Sequence, residues 1–168
     1  MKSLLFPEVR TGQALPELQF EVTTTTVVLG ALAARDWQPQ HHDRDFAQKR
    51  NGMRDVFINT PHNAAFFERY ITDWTGPHGR LGRIEFQMLD SVYPGDTMVF
   101  NGEVQRAFKD QHQCGWVDLS LWLTVGETVT TRCRARVALP VNEGDNPWSR
   151  GTECWLPEAE VPGEEGEP

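Results

Sequence analysis

Hydrophobic spacing changes character along this chain. Leu18, Phe20 and Val22 alternate with polar neighbours as a short strand does, after an irregular lead-in over residues 1–16 punctuated by Pro7, Gly12 and Pro16. Residues 27–34 then run apolar, with Val28, Leu32 and Arg35 at helical spacing and a run of four threonines ahead of them to supply a cap. That predicts a helix ending near Arg35, slightly weakened by Gly30. Residues 44–50 are charged and long enough for one or two helical turns before Asn51-Gly52 breaks them. The strongest helix starts at Pro61, with Thr60 as its expected cap, and ends at Gly76-Pro77. Ala64, Phe67, Ile71 and Trp74 form its stripe, and Phe66 and Tyr70 widen it, so more than one side of the helix should be covered.

Beyond the helix the period becomes two. Ile84, Phe86 and Met88 alternate with Arg83, Glu85 and Gln87, Pro94-Gly95-Asp96 turns, and Met98, Phe100 and Val104 begin a second strand. After a turn at Lys109-Asp110-Gln111, Val117, Leu119, Leu121, Leu123 and Val125 alternate with polar positions, and so do Val129, Thr131, Cys133, Ala135, Val137 and Leu139. Long strands joined by tight turns imply an antiparallel meander. Its apolar face needs a partner of similar character, which only the helix of residues 61–75 offers. The fold expected is therefore α+β, a curved antiparallel sheet wrapped around one long central helix. The other face carries Arg132, Arg134 and Arg136 beside Trp116 and Trp122, either a subunit contact or a solvated face with two exposed tryptophans. One domain over residues 1–140 is expected, followed by an acidic Pro/Gly-rich tail over 141–168, with 157–168 disordered.

Charge and composition narrow the function. At 168 residues with a net charge of −8, the chain suits one acidic domain and lacks the clustered Lys and Arg of a nucleic-acid surface. Cys114, Cys133 and Cys154 are odd in number, form no CxxC pair and have no histidine at zinc-finger spacing, so free thiols in a reducing cytoplasm are expected. Residues 1–6 lack the apolar core of a signal peptide, and no stretch approaches the roughly twenty apolar residues of a membrane span.

Candidate chemistry concentrates at residues 35–43, Arg-Asp-Trp-Gln-Pro-Gln-His-His-Asp. Pro39 bends the chain between Asp36 and His41, and a turned segment can bring carboxyl and imidazole to one water or one substrate atom. With this loop between a helix and a charged flap, and a long helix and meander after it, the chain resembles the MaoC-like enoyl-CoA hydratases. These have the hot-dog fold and carry an Asp-x-Asn-Pro-x-His-x-Asp pattern in this place. Asp36, Pro39, His41 and Asp43 match it, and Gln38 replaces the asparagine. Residues 32–36, 41–45, 55–59 and 69–77 are similar in particular to the small catalytic subunit of actinobacterial hydratases acting on steroid side-chain enoyl-CoA thioesters.

The resemblance implies addition of water across the 2,3-double bond of a trans-2-enoyl-CoA, giving a (3R)-hydroxyacyl-CoA. His41 would orient the water and remove its proton, and Asp36 would position the same water and manage the proton delivered to the α-carbon, with no metal and no cofactor beyond the coenzyme A of the acyl-CoA substrate. Gln38 and Asp43 would support the loop, while His42 falls on a variable position. Many family members have His-Gly before the central helix and use a backbone amide there as oxyanion donor. This chain has Asn59-Thr60-Pro61, and Pro61 has no amide hydrogen, so Thr60 or another amide at the helix start would serve. Asn59 and His62 would line the pocket or cap the helix. The expected assembly is a homodimer or a heteromer with a second hot-dog chain. A non-catalytic hot-dog subunit and a hot-dog thioesterase remain the alternatives.

Overall fold

The computed structural model describes residues 3–158. Its elements run β1 (Leu18–Glu21), α1 (Thr24–Ala33), α2 (Arg44–Lys49), α3 (Thr60–Thr75), β2 (Arg80–Met88), β3 (Thr97–Lys109), β4 (Gly115–Val125) and β5 (Thr128–Leu139). All five strands form one antiparallel sheet in the order β1-β3-β4-β5-β2. The meander expected from the alternation is therefore β3-β4-β5, while β2 crosses to pair with the last strand.

Alternation decides which side chains reach the core. Val117, Leu119, Leu121 and Leu123 of β4 and Cys133, Ala135, Val137 and Leu139 of β5 are buried on the face toward α3. From α3, Phe66, Phe67, Tyr70 and Ile71 meet them, and Phe100 of β3 packs against Phe67 at 5.2 Å and Phe66 at 5.9 Å between ring centres. Complete burial of a side chain such as Phe67 contributes about 2–3 kcal/mol. Asn63 lies on the same face, fully buried, its amide donating to Thr131 Oγ1 at 3.0 Å.

The lead-in packs on this body through Val9 and Leu15, both buried, and through backbone bonds from Leu4 to Thr75 and from Phe6 to Pro140. The outer face of the sheet differs from expectation. Trp116 is 0 % exposed, because residues after β5 fold back over it and place Trp155 against it at 4.8 Å. Arg80 stacks on Trp155 at 3.6 Å and donates to the carbonyls of Pro147 and Arg150. Arg136 donates to the carbonyl of Pro157, and Arg83 pairs with Glu158. Deeper in this face, burial raises Asp118, but hydrogen bonds from Arg136 and Arg106 outweigh it and hold the carboxyl below its ordinary range. Disorder was expected from residue 157 onward, and residues 159–168 lie outside those described. Among the described residues no helix is long and apolar enough to cross a membrane.

Candidate active site

The site begins where α1 ends. Ala34 caps the helix, and Arg35 then takes the left-handed conformation with φ 53°. The amides of Arg35 and Asp36 turn back to the carbonyls of Leu32 and Ala31 at 3.0 and 2.9 Å. This is the paired-bond helix ending that glycine usually occupies. It reverses the chain within two residues and starts the next segment at Asp36.

Pro39 works as the sequence suggests. Gln38 is extended, with φ −67° and ψ 125°, and Pro39 opens a short 3-10 turn over Pro39–His41 that carries His41 back toward Asp36. His41 Nε2 lies 3.5 Å from Asp36 Oδ2. The other ring nitrogen, Nδ1, lies 2.8 Å from the carbonyl oxygen of Phe57. A carbonyl only accepts, so the hydrogen of the neutral ring sits on Nδ1 and Nε2 presents a lone pair toward Asp36. The ring of Phe57 packs edge-on to the imidazole at 4.7 Å and helps to bury it.

Asp36 is held as a carboxylate. Asn59 Nδ2 donates to its Oδ2 at 3.0 Å and the Gln38 amide to its Oδ1 at 3.2 Å. The Asn59 bond is the main cause that keeps the carboxyl below its ordinary value, outweighing the opposing effect of burial.

Asn59 also corrects the expected cap of α3. Its Oδ1 accepts from the His62 amide at 3.2 Å, so Asn59 is the cap and Thr60 the first helical residue. An asparagine presents a carbonyl oxygen to the helix and keeps two N–H donors for the opposite side, which threonine does not have. Pro61 has no amide hydrogen, and the His62 amide is taken by the cap. Of the first three helical residues, Thr60 is left with an amide that meets no acceptor among the described residues.

His62 turns elsewhere. Its ring stacks on Phe66 at 4.7 Å and presses against Gly30 of α1, with Nδ1 buried and without a hydrogen-bond partner. Burial lowers its pKa. Together with Phe20, Leu29, Ala33, Pro61 and Ala65 it lines an apolar groove of about 720 Å³ between α1 and α3. Asp43 caps α2 by accepting from the Phe46 amide at 3.0 Å, and His42 is exposed. The carbonyl of Phe57 and the amide of Gln40 also reach His41, at 2.8 and 3.3 Å, and no pattern in the sequence marks either. Among the described residues no group of three or more His, Cys, Asp or Glu side chains is arranged to hold a metal ion.

Comparison with known proteins returns one family, the MaoC like domain, matched over residues 9–120. The chain is 41 % identical over 93 residues to a 3-oxo-4,17-pregnadiene-20-carboxyl-CoA hydratase beta subunit of Mycobacterium tuberculosis, covering 55 % of this chain and 71 % of that one. Among solved structures, the ChsH1-ChsH2 complex from Mycobacterium tuberculosis superposes with a TM-score of 0.71 at 29 % identity, over 77 % of this chain and 98 % of that one. An (R)-hydratase from A. caviae involved in PHA biosynthesis gives 0.70 at 19 % identity, over 79 % and 98 %, a likeness of fold. The shared architecture, a curved five-stranded sheet around α3, is the hot-dog fold.

Proposed function

This chain belongs to the MaoC-like domain family, and from that premise we propose that it is an (R)-specific enoyl-CoA hydratase. It adds water across the 2,3-double bond of a trans-2-enoyl-CoA, with Asp36 and His41 as its catalytic residues. The observation that carries this reading is the 3.5 Å approach of Asp36 Oδ2 to His41 Nε2, the nitrogen that carries the lone pair when a neutral ring donates from Nδ1 to the Phe57 carbonyl. Two acceptors that face each other are satisfied together by the two O–H bonds of one water molecule.

That water is then oriented with an oxygen lone pair free for carbon 3 of the substrate. As the C–O bond forms, Nε2 takes one of its protons, and the imidazolium is stabilised by the adjacent carboxylate. The depressed pKa of Asp36 makes it the stabilising anion rather than the resting acid. The proton taken by His41 is returned to carbon 2, so the elements of water are added and nothing else is consumed. Charge accumulates meanwhile on the thioester oxygen. The open Thr60 amide at the α3 N-terminus is the donor assigned to it, a role worth about 10²–10³ in rate. Coenzyme A enters as part of the substrate, and the reaction calls for no other cofactor.

The likeness to a steroid-CoA hydratase subunit supports a bulky side-chain acyl group as substrate, and the likeness to a two-protein complex supports a second hot-dog chain as partner. Cys114, Cys133 and Cys154 are all free, which fits a reducing cytoplasm. The test follows loss of enoyl-thioester absorbance on a series from crotonyl-CoA to a steroid enoyl-CoA, using the chain alone and with its co-purifying partner. Asp36→Asn and His41→Ala are each expected to lower turnover by about 10²–10⁴. Unchanged turnover in both variants sinks the catalytic assignment. Release of free coenzyme A points to a thioesterase instead, and silence of the wild type in every combination to a binding subunit.

A further inference from the structure

We infer that Gln40 is a positioning residue for His41. Its side-chain amide, clamped by Asn51, holds the lone-pair side of the imidazole in register with Asp36. This rests on the hydratase reading for its consequence in turnover, but not for its geometry.

With the hydrogen of a neutral His41 ring on Nδ1, the hydrogen-bond chain selects one orientation of the Gln40 amide. Gln40 Nε2 lies 3.3 Å from His41 Nε2 and 3.2 Å from Gln38 Oε1, and Gln40 Oε1 lies 2.6 Å from Asn51 Nδ2. The two N–H bonds of an amide nitrogen match the two acceptors, and its oxygen matches the asparagine donor. Reversing the Gln40 amide would set its oxygen against the His41 lone pair and its NH₂ against that of Asn51. The orientation is therefore set by the neutral-ring tautomer that the Phe57 carbonyl favours, and the Asn51 amide meets it with its NH₂.

Consequently the imidazole is held at both nitrogens, Nδ1 by a backbone carbonyl and Nε2 by a side-chain donor. The first contact fixes the tautomer. The second occupies the lone pair beside Asp36 and holds the ring plane until water arrives. When the reacting water takes that lone pair, the Gln40 amide yields it and keeps its bond to Gln38. Asn51 sits in the turn after α2, with its backbone amide on the carbonyl of Phe46. The α2 flap is thus tied to the base through one side chain.

The test uses the full chain labelled with ¹⁵N-histidine, the His41 signals being assigned by their loss in His41→Asn. Wild type should show a neutral ring with the hydrogen on Nδ1, and Gln40→Leu should move the Nε2 resonance. In turnover, Gln40→Leu should lower kcat at least tenfold with KM within threefold, and Gln40→Glu, which opposes an acceptor to the lone pair, should lower it further. Asn51→Ala should act in the same direction by a smaller factor, without touching His41. An unmoved Nε2 resonance in Gln40→Leu overturns the inference, and so does a moved resonance with unchanged kcat. If wild type turns over no thioester, the hydratase reading fails separately and the resonance alone decides the positioning role.

Discussion

Asn59 donates to Asp36 at 3.0 Å across 23 residues of chain, and the same side chain caps α3. One amide thereby joins the end of the central helix to the candidate catalytic carboxylate. Asn59→Ala should lose the cap, at about 1 kcal/mol, together with most of the activity. Asn59→Asp should keep the cap but set a second carboxylate beside Asp36, so stability survives better than turnover. Denaturant midpoints measured beside initial rates separate the two effects.

The same bond fixes a pH dependence. Because the folded-state pKa of Asp36 lies below the ordinary 3.8, its contribution to stability is present above 3.8 and is lost as pH falls through the folded value. Asn59→Ala raises that folded value and should shrink the stability difference between neutral pH and the acid side of 3.8. Unfolding curves on both sides of that value check this.

Gly30 is the reverse of an ordinary helix-interior glycine. Alanine there normally gains about 1 kcal/mol, but a Cβ on Gly30 would stand 1.8 Å from His62 Nδ1. Gly30→Ala should therefore destabilise by about 1–3 kcal/mol as α1 is pushed from α3. Adding His62→Ala should recover much of the loss, and a double-mutant cycle on thermal midpoints measures the coupling.

Arg35 occupies a left-handed position with φ 53° immediately before Asp36. Arg35→Gly should stabilise the fold by about 1 kcal/mol, the strain of a side chain there exceeding the added freedom of the unfolded chain. Denaturant titration at neutral pH reads this directly.

Much of the site was legible because it is local. Asp36, Pro39 and His41 stand within six residues, and the proline opens the short turn that carries the base back toward the acid. The alternation in β4 and β5 likewise identified every buried position from Val117 to Leu123, since a strand with one covered face has no other way to be written. What escaped was long-range or carried by backbone. Phe57 fixes the tautomer of His41 through its carbonyl, which any residue would supply. Asn59 looked like a pocket or capping residue, because its reach to Asp36 depends on how α1 and α3 meet. Trp116 alternates outward and so read as exposed or as a subunit contact; only the return of Trp155 across the sheet buries it.

That return also yields a stability test. Trp155 packs against both Trp116 and the guanidinium of Arg80, at 4.8 and 3.6 Å. Trp155→Ala should cost about 2 kcal/mol by uncovering Trp116 and removing the cation–π contact. A lowered denaturant midpoint without a change in KM is the expected signature, since none of these residues touches Asp36 or His41.

The strand order leaves the two borders of the sheet unequal. β1 closes one border with four residues, whereas β2 offers nine along the other, and no strand among the described residues pairs with its far side. Such a border is a template for intermolecular pairing, and the polar Arg83, Glu85 and Gln87 along it temper but do not remove the hazard. The chain with that border uncovered is consequently the form most exposed to aggregation, and solubility becomes a practical index of whether the border is covered.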